Sequence, residues 1–476
     1  MNSPKILIVG YEVAPFYKRG GLGDVLGSLP IALAKQGVDV RVVMPDYDVI
    51  PKGRPKKAIG TFRIVFDTSE EEVTVHEGVL PNSHVGIYFL GNSKLISPIN
   101  LKRKQIAEFL FFDLAVCGFV NWLEDKGGFV PELLHCHDWH TGLIPLILKK
   151  RMHSSLPTLL TIHNLGYQGR GSVSLLSKLS IEEEAVRNLD PQGTVGKLSS
   201  LGEGILHATA LSTVSPTYAK EITSPMKRAP IFQYFRLREH IHPLHITGIL
   251  NGIDTEIWNP RTDPFVFSRY DAHTVGTKKE KNRERLVHGL KLAQDRPIFS
   301  FVGRMAGQKG LNIIKQVIGE LMELEINIVF LGSGDRRIEQ DIRMLATRYP
   351  HFIHADIVYS EVVAHQIYSG SDFLLIPSLY EPCGLIQMLA MRYGTLPVAS
   401  DTGGLHDSID DGVTGFLFHK GSGASLIASV KRALAVYKDK KSFERMQATA
   451  MERDFSWDRS ASAYKSLYGK LLASSV

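Results

Sequence analysis

Short apolar runs punctuate this chain at regular intervals, and stretches with helical spacing fill the gaps between them. In the first half the pattern predicts strands at 5–9, 38–44, 133–136, 158–162 and 211–214. In the second half it predicts strands at 298–302, 326–331, 352–357, 373–376 and 396–399. These runs are almost continuously apolar rather than alternating, and Gly, Pro, Asn or Asp bounds each one. Such strands are buried on both faces, as in parallel sheets covered by crossover helices. One stretch departs from this rhythm. Around an acidic turn, Phe62-Arg63-Ile64-Val65-Phe66 and Val73-Thr74-Val75-His76 alternate, which predicts an inserted antiparallel hairpin within 61–90. The apolar run 109–123 contains Asp113 and is too short for a membrane span, so it reads as a buried helix.

The two halves repeat one scheme: strand, glycine, polar loop, helix. The first runs from Ile6-Leu7-Ile8-Val9-Gly10 to Lys18-Arg19-Gly20-Gly21-Leu22, the second from Phe299-Ser300-Phe301-Val302-Gly303 to Lys309-Gly310-Leu311. The expected fold is therefore α/β, with two doubly wound Rossmann-like domains facing a deep cleft. Ligands of such sheets sit beyond the carboxyl ends of the strands. The expected divisions are 1–245, a hinge at 246–260, a second domain at 261–456, and a C-terminal helix at 457–476 that crosses back to the first domain. A length of 476 residues agrees with two cores rather than one.

Candidate chemistry gathers at those strand ends. Arg304 follows the first strand of the second half at once, and Lys309 lies five residues on, before a helix. Two cations beside a helix N-terminus suit a diphosphate. Glu381, in Glu381-Pro382-Cys383-Gly384-Leu385, ends another apolar run, where a carboxylate suits sugar hydroxyls. Together they point to a nucleotide-sugar. In the first half, Lys18 precedes Gly20, Gly21 and Gly23, which let backbone approach an anion. Gly21-x-Gly23-x-x-x-Gly27 misses the dinucleotide-binding spacing by one residue, and its loop is too long for that motif. His135-Cys136-His137-Asp138-Trp139-His140 has five potential metal ligands, of three types, in six residues. A strand turns neighbouring side chains to opposite faces and no distant partner has zinc spacing, so Asp138 and Trp139 are read as sugar-facing instead. His163-Asn164 and Asn251-Gly252 also fall at strand ends.

Charge and cysteines add less. A net charge of +6 is mild. The basic clusters at 52–57 and 102–104 lack aromatic interleaving or any nucleic-acid signature. Three cysteines make no disulfide framework, which suits a reducing cytoplasm. The first strand begins too early for a leader peptide.

The motifs KRGGLGDV, HCHDWHTGL, TIHNLGYQG, STVSPTYAKEI, GILNGID, FVGRMAGQKGL, EPCGLIQ and TGGLHDSI occur in the order found in one family. Nearly end to end, the chain resembles the bacterial glycogen synthases of the retaining starch and glycogen synthase family, which have the GT-B fold. The resemblance implies transfer of glucose from ADP-glucose to the non-reducing end of an α-1,4-glucan, glycogen, with no metal or other cofactor, no nucleic acid and no membrane. It gives Arg304 and Lys309 the departing diphosphate, and Lys18, Gly20 and Gly21 the rest of the phosphate pocket. Glu381 takes the glucose hydroxyls, and the backbone at Cys383, Gly384 and Leu385 cradles sugar and phosphate. The main chain of His163 lies near the anomeric carbon, with Asp138, Asn164 and Asn251 nearby, and Tyr359 is a platform for the nucleobase. Two positions depart from the family pattern, Arg19 for Thr and Leu379 for Arg; Leu389 stands where the wider superfamily has a second Glu that this family commonly lacks. The first two leave UDP-glucose as an alternative donor. A related GT-B enzyme with a small acceptor and a glucan-binding protein without catalysis are the other readings weighed.

Overall fold

The computed structural model describes residues 3–47, 56–94, 96, 106–182, 196–224 and 245–474. The basic cluster at 102–104 and most of that at 52–57 lie outside the described residues. The chain forms two compact units, Met1–Gly252 with Trp457–Val476, and Ile253–Ser456.

The first unit is built on a nine-stranded sheet of order β11-β10-β7-β6-β1-β2-β5-β4-β3. Its strands are β1 (Lys5–Val9), β2 (Asp39–Pro45), β3 (Lys57–Phe66), β4 (Ser69–Val79), β5 (Gly86–Gly91), β6 (Leu133–His137), β7 (Thr158–Ile162), β10 (Ala210–Thr213) and β11 (Ile246–Gly248). A separate small ladder joins β8 (Arg170–Ser172) to β9 (Lys197–Ser199). The central strands are parallel, and every residue of β6 and β7 is buried, as their unbroken apolar character requires. The predicted hairpin is longer than its alternating core: β3 and β4 pair antiparallel from Lys57↔Glu77 to Phe66↔Ser69. A third strand, β5, follows it and joins β4 to the parallel sheet through β2. The buried helix runs from Ile106 to Lys126, and Asp113 inside it accepts from the Leu143 N–H at 3.1 Å.

The second unit holds a six-stranded parallel sheet of order β14-β13-β12-β15-β16-β17. These strands are β12 (Ile298–Val302), β13 (Asn327–Leu331), β14 (Ile353–Asp356), β15 (Phe373–Ile376), β16 (Leu396–Ser400) and β17 (Phe416–Phe418). β12 and β15 have the sequence-expected edges, β13, β14 and β16 differ from theirs by one residue at one or both ends, the usual scatter where strand ends fray into loops, and β17 was not anticipated.

In each sheet the order of the parallel strands reverses at one place. In the first it reverses between β1 and β6, in the second between β12 and β15. The loops that leave neighbouring strands at such a point diverge to opposite faces and open a crevice. The chain passes from the first unit to the second at Gly252–Ile253 and returns at Ser456–Trp457. Next to these two crossings, the Ile253 N–H donates to the Phe455 carbonyl at 2.8 Å. The helix Trp457–Ser474 then packs on helix Gly21–Lys35 of the first unit, with Tyr464 and Tyr468 fully buried. Among the described residues no helix is long and apolar enough to cross a membrane.

Candidate active site

In each unit the loops at the switch point carry several of the candidate residues, while His163 and Asn164 follow β7, Asn251 follows β11 and Tyr359 follows β14. In the second unit, β12 ends in Gly303, at φ 148°, and Arg304 emerges exposed. The loop behind it is zipped to the loop after β13. Met305 N–H donates to Ser333 O at 2.9 Å, and Asp335 N–H donates to Met305 O at 2.7 Å. Glycine is required there: a Cβ on Gly332 would lie 1.9 Å from Gly303 O, and one on Gly334 2.3 Å from Met305 O. A short turn, Gly307–Lys309, then carries Lys309 to the loop after β15. The Gln308 amide donates to Tyr380 O at 3.0 Å, and Leu379 N–H donates to Gln308 O at 2.8 Å. The side chains follow the backbones together. Lys309 Nζ lies 2.6 Å from Glu381 Oε2, which also accepts from Ser378 Oγ at 2.9 Å.

Glu381 is buried, with its side chain 7% exposed, and Lys309 is 16% exposed. A carboxylate withdrawn this far from water needs such partners. The sequence reading gave these two residues to different parts of one ligand; in the unliganded chain they serve each other. The backbone beyond Glu381 is held by the segment after β16. Gly404 N–H donates to Glu381 O at 3.0 Å. Gln387 Nε2 donates to Cys383 O at 3.1 Å and Gly384 O at 2.8 Å. Gly384 takes φ 71°, and Leu385 caps the helix Ile386–Arg392. Cys383 is buried. Tyr359, between β14 and the next helix, is 75% exposed.

In the first unit the loop after β1 carries Lys18, Arg19, Gly20 and Gly21. Its shape depends on Glu12, which the sequence reading passed over. Glu12 Oε2 accepts from the backbone N–H of Arg19 at 2.5 Å and of Gly20 at 2.9 Å. Burial raises the Glu12 pKa, against the pull of those two N–H groups. The only hint in the sequence is a lone carboxylate in the apolar run before the glycines. Lys18 Nζ pairs with Asp24 Oδ1 at 2.6 Å, and Gly20 begins the helix Gly21–Lys35 without a side-chain cap.

After β6, Asp138 turns the chain at φ 59° and ψ −173°, a conformation non-glycine residues rarely adopt. Its Oδ1 accepts from the His163 N–H at 2.7 Å and the Asn164 N–H at 3.3 Å. Burial pushes the Asp138 pKa up to about 7, and those two N–H groups oppose the rise. Asp138 thus shapes the main chain at His163 with the oxygen that the sequence reading offered to sugar. Trp139 is likewise packed inward, against Phe109, His140 and Gly169. Asn164 Oδ1 accepts from the Gly166 N–H at 2.9 Å, forming a local turn. Asn251 is 5% exposed, and its Oδ1 is buried without a partner among the described residues.

The histidines are not arranged around a common point. The His135 nitrogens bind Tyr468 OH at 2.7 Å and Thr161 Oγ1 at 2.6 Å. The His135 and His137 rings lie against each other, with centroids 4.1 Å apart, and His137 Nδ1 meets His163 Nε2 at 2.9 Å. Burial lowers the pKa of all three, that of His163 to about 3.

Comparison with known proteins follows the same division of the chain. A family model described as "Starch synthase catalytic domain" matches residues 5–237, and one described as "Glycosyl transferases group 1" matches residues 282–452. The chain is 36% identical to the glycogen synthase of Thermodesulfovibrio yellowstonii, covering 98% of each protein. It is 37% identical to that of Thermotoga maritima, over 98% of this chain and 99% of the other. The catalytic domain of starch synthase IV from Arabidopsis thaliana, solved bound to ADP and acarbose, matches with a TM-score of 0.88 at 29% identity, over 99% of this chain and 100% of that one. A sucrose-phosphate synthase from Thermosynechococcus elongatus, at TM-score 0.62 and 18% identity over 99% of this chain and 100% of that one, shares the fold.

Proposed function

Because this chain belongs to the glycogen and starch synthase family of GT-B glycosyltransferases, we propose that it transfers glucose with retention from ADP-glucose to the non-reducing end of an α-1,4-glucan. The observation that carries the reading is the pairing of Lys309 with Glu381 at the switch point of the second sheet. There a cation for the diphosphate and a carboxylate for sugar hydroxyls are already in register. Arg304, exposed on the same loop, adds a second cation. Their charge acts on the oxygen that gains negative charge as the sugar–phosphate bond breaks, and groups fixed in place before that moment stabilise it most. In the first unit, Lys18 with the glycine turn at Gly20 and Gly21 serves the same phosphates. The main chain of His163 and Asn164, held by Asp138, lines the sugar, with Asn251 nearby. Cys383, Gly384 and Leu385 supply backbone to sugar and phosphate, and Tyr359 stacks on the base.

A double displacement needs a free carboxylate at the anomeric carbon. Asp138 is committed to backbone N–H groups, and Glu381 to Lys309 and Ser378. This favours attack on the face the diphosphate leaves. The C1–O(phosphate) bond breaks, the acceptor O4–C1 bond forms, and the acceptor hydroxyl proton passes to a phosphate oxygen. Trapping a covalent glucosyl-enzyme would contradict this course.

The ADP found with starch synthase IV supports adenine as the donor base. Exposed Arg19 and Leu379, where the family pattern differs, favour UDP-glucose as the second reading. Initial rates with glycogen and the two donors in competition decide between them. Faster transfer from ADP-glucose is expected; faster transfer from UDP-glucose overturns the donor assignment and keeps the fold and chemistry. A small-acceptor panel tests the glucan: transfer to glucose or fructose phosphates with none to glycogen overturns it. The proposed location is the cytoplasm.

A further inference from the structure

The row of buried histidines in the first unit has no place in the chemistry above, yet it ends on His163. His137 Nδ1 and His163 Nε2 are 2.9 Å apart, so one proton lies between them. Both rings are neutral, since burial lowers both pKa values. Two arrangements are open. If His163 donated from Nε2, His137 would carry its own proton on Nε2. That atom is buried and has no hydrogen-bond partner among the described residues. A buried N–H with nothing to receive it is among the rarest and most costly defects in a folded protein. If His137 donates from Nδ1, its Nε2 is a bare lone pair and no N–H is orphaned. His163 then carries its proton on Nδ1, and His163 is only partly buried.

We propose that His137 is a positioning residue for glucosyl transfer: it donates from Nδ1 to His163 Nε2 and so holds His163 in the tautomer that presents Nδ1–H as a donor. This rests on the reading of the His163 main chain as lining the glucose, and extends that reading to the ring.

The surrounding contacts keep His137 where this requires. Its backbone N–H donates to Thr141 Oγ1 at 2.7 Å, and Thr141 Oγ1 donates back to the His137 carbonyl at 3.0 Å. Its ring lies against that of His135, which cannot turn without losing both its partners. One of those is Tyr468, on the helix Trp457–Ser474. The Tyr468 phenol shares a hydrogen bond with His135 Nδ1, and His135 Nε2 shares one with Thr161 Oγ1. Thr161 lies on β7, two residues before His163, and its hydroxyl is hydrogen-bonded to Ser212 Oγ at 2.6 Å. All of these side chains are fully buried. The helix that follows the second unit thereby braces the histidine row of the first.

Ring-nitrogen NMR of the full-length enzyme labelled with 15N-histidine tests the assignment. The His163 resonance is identified by its loss in His163→Gln. At neutral pH the wild type should show protonated Nδ1 and bare Nε2; the reverse overturns the proposal. His137→Asn keeps an N–H donor near the position of Nδ1, whereas His137→Phe keeps only the bulk. His137→Phe should lose the tautomer preference and lower kcat by about tenfold, the worth of one hydrogen bond, with KM for the donor within about threefold. His137→Asn should restore both the spectrum and most of kcat. A structural role alone would lower thermal stability in both variants and leave the His163 spectrum unchanged, which overturns the proposal. Wild-type turnover by His163→Gln, which keeps the main chain and loses only the ring, would also overturn the proposal; the reading of the main chain fails separately, if glycogen receives no glucose from either donor.

Discussion

At the residue scale the two central side chains carry opposite charges and little water. Removing Lys309 takes away a cation from the diphosphate and leaves Glu381 buried with Ser378 as its remaining polar contact. Lys309→Ala should therefore lower turnover by about 100-fold, as loss of one charge-stabilising donor does. It should also lower the urea midpoint, because an uncompensated buried carboxylate is costly. A tenfold or smaller loss of turnover would mean the diphosphate is held chiefly elsewhere. Asp138 makes a pH prediction with a definite sign. Its folded pKa, about 7, lies above the ordinary 3.8. The folded state thus binds more protons than the unfolded one between about pH 4 and 7. This group favours folding most at low pH, and its contribution falls by a few kcal/mol as pH rises through that window. Asp138→Asn should flatten the decline in denaturation midpoint from pH 5 to 7.5. An unchanged slope would place the effect on another group. A third case is Lys279, fully buried, which donates to Tyr368 O at 2.9 Å, Ser369 O at 3.0 Å and Thr395 Oγ1 at 2.8 Å. Burial depresses its pKa and nearby Asp372 resists this. Lys279→Met takes a donor from two buried carbonyls, of which Tyr368 O keeps the Thr395 hydroxyl, and should cost about 1–3 kcal/mol, read from the urea midpoint.

At the element scale, strands buried on both faces announced themselves, because a parallel strand between helices has no polar face to interrupt it. β1, β7, β12 and β15 appear where the apolar runs predicted. β5 was missed because Gly86-Ile87-Tyr88-Phe89-Leu90-Gly91 sits beside the alternating hairpin and reads as part of it. The hairpin's true length was hidden by exposed outer positions on β3 and β4. The loops were legible as glycines and charges, but not in how they grip one another. Gly403 and Gly404 illustrate this: a Cβ on either would lie within about 2 Å of the carbonyl of Glu381 or Cys383, a close approach that appears only in three dimensions. Glu12 was illegible for a related reason, since its role is to receive backbone N–H groups rather than ligand. Gly310 gives the sharpest test of these grips. It takes φ 67°, and a Cβ there would sit 1.8 Å from Pro377 O. Gly310→Ala should destabilise the protein by about 2 kcal/mol or more and raise KM for the donor, by separating Lys309 from Glu381. Wild-type stability with wild-type KM would show that the loops tolerate separation.

At the scale of the whole molecule, two sheets with one switch point each, and a chain that returns to its first unit, meet the description of a GT-B glycosyltransferase. The proposed division of labour gives the nucleotide-sugar to the second unit and the sugar-lining backbone to the first. The proposed boundary at 246–260 includes the crossing at Gly252–Ile253, and the return at Ser456–Trp457 starts the helix whose Tyr468 reaches the histidine row. Motifs spread over the chain carried the family in the sequence, whereas pairings such as Lys309 with Glu381 and His137 with His163 join residues whose sequence separation conceals them. The most direct test is the transfer of labelled glucose from ADP-glucose into glycogen, with the new linkage identified. The predicted result is α-1,4-linked glucose and stoichiometric ADP, strongly reduced in both Lys309→Ala and Glu381→Gln. No incorporation from ADP-glucose or UDP-glucose, or incorporation that survives both substitutions, would contradict the account.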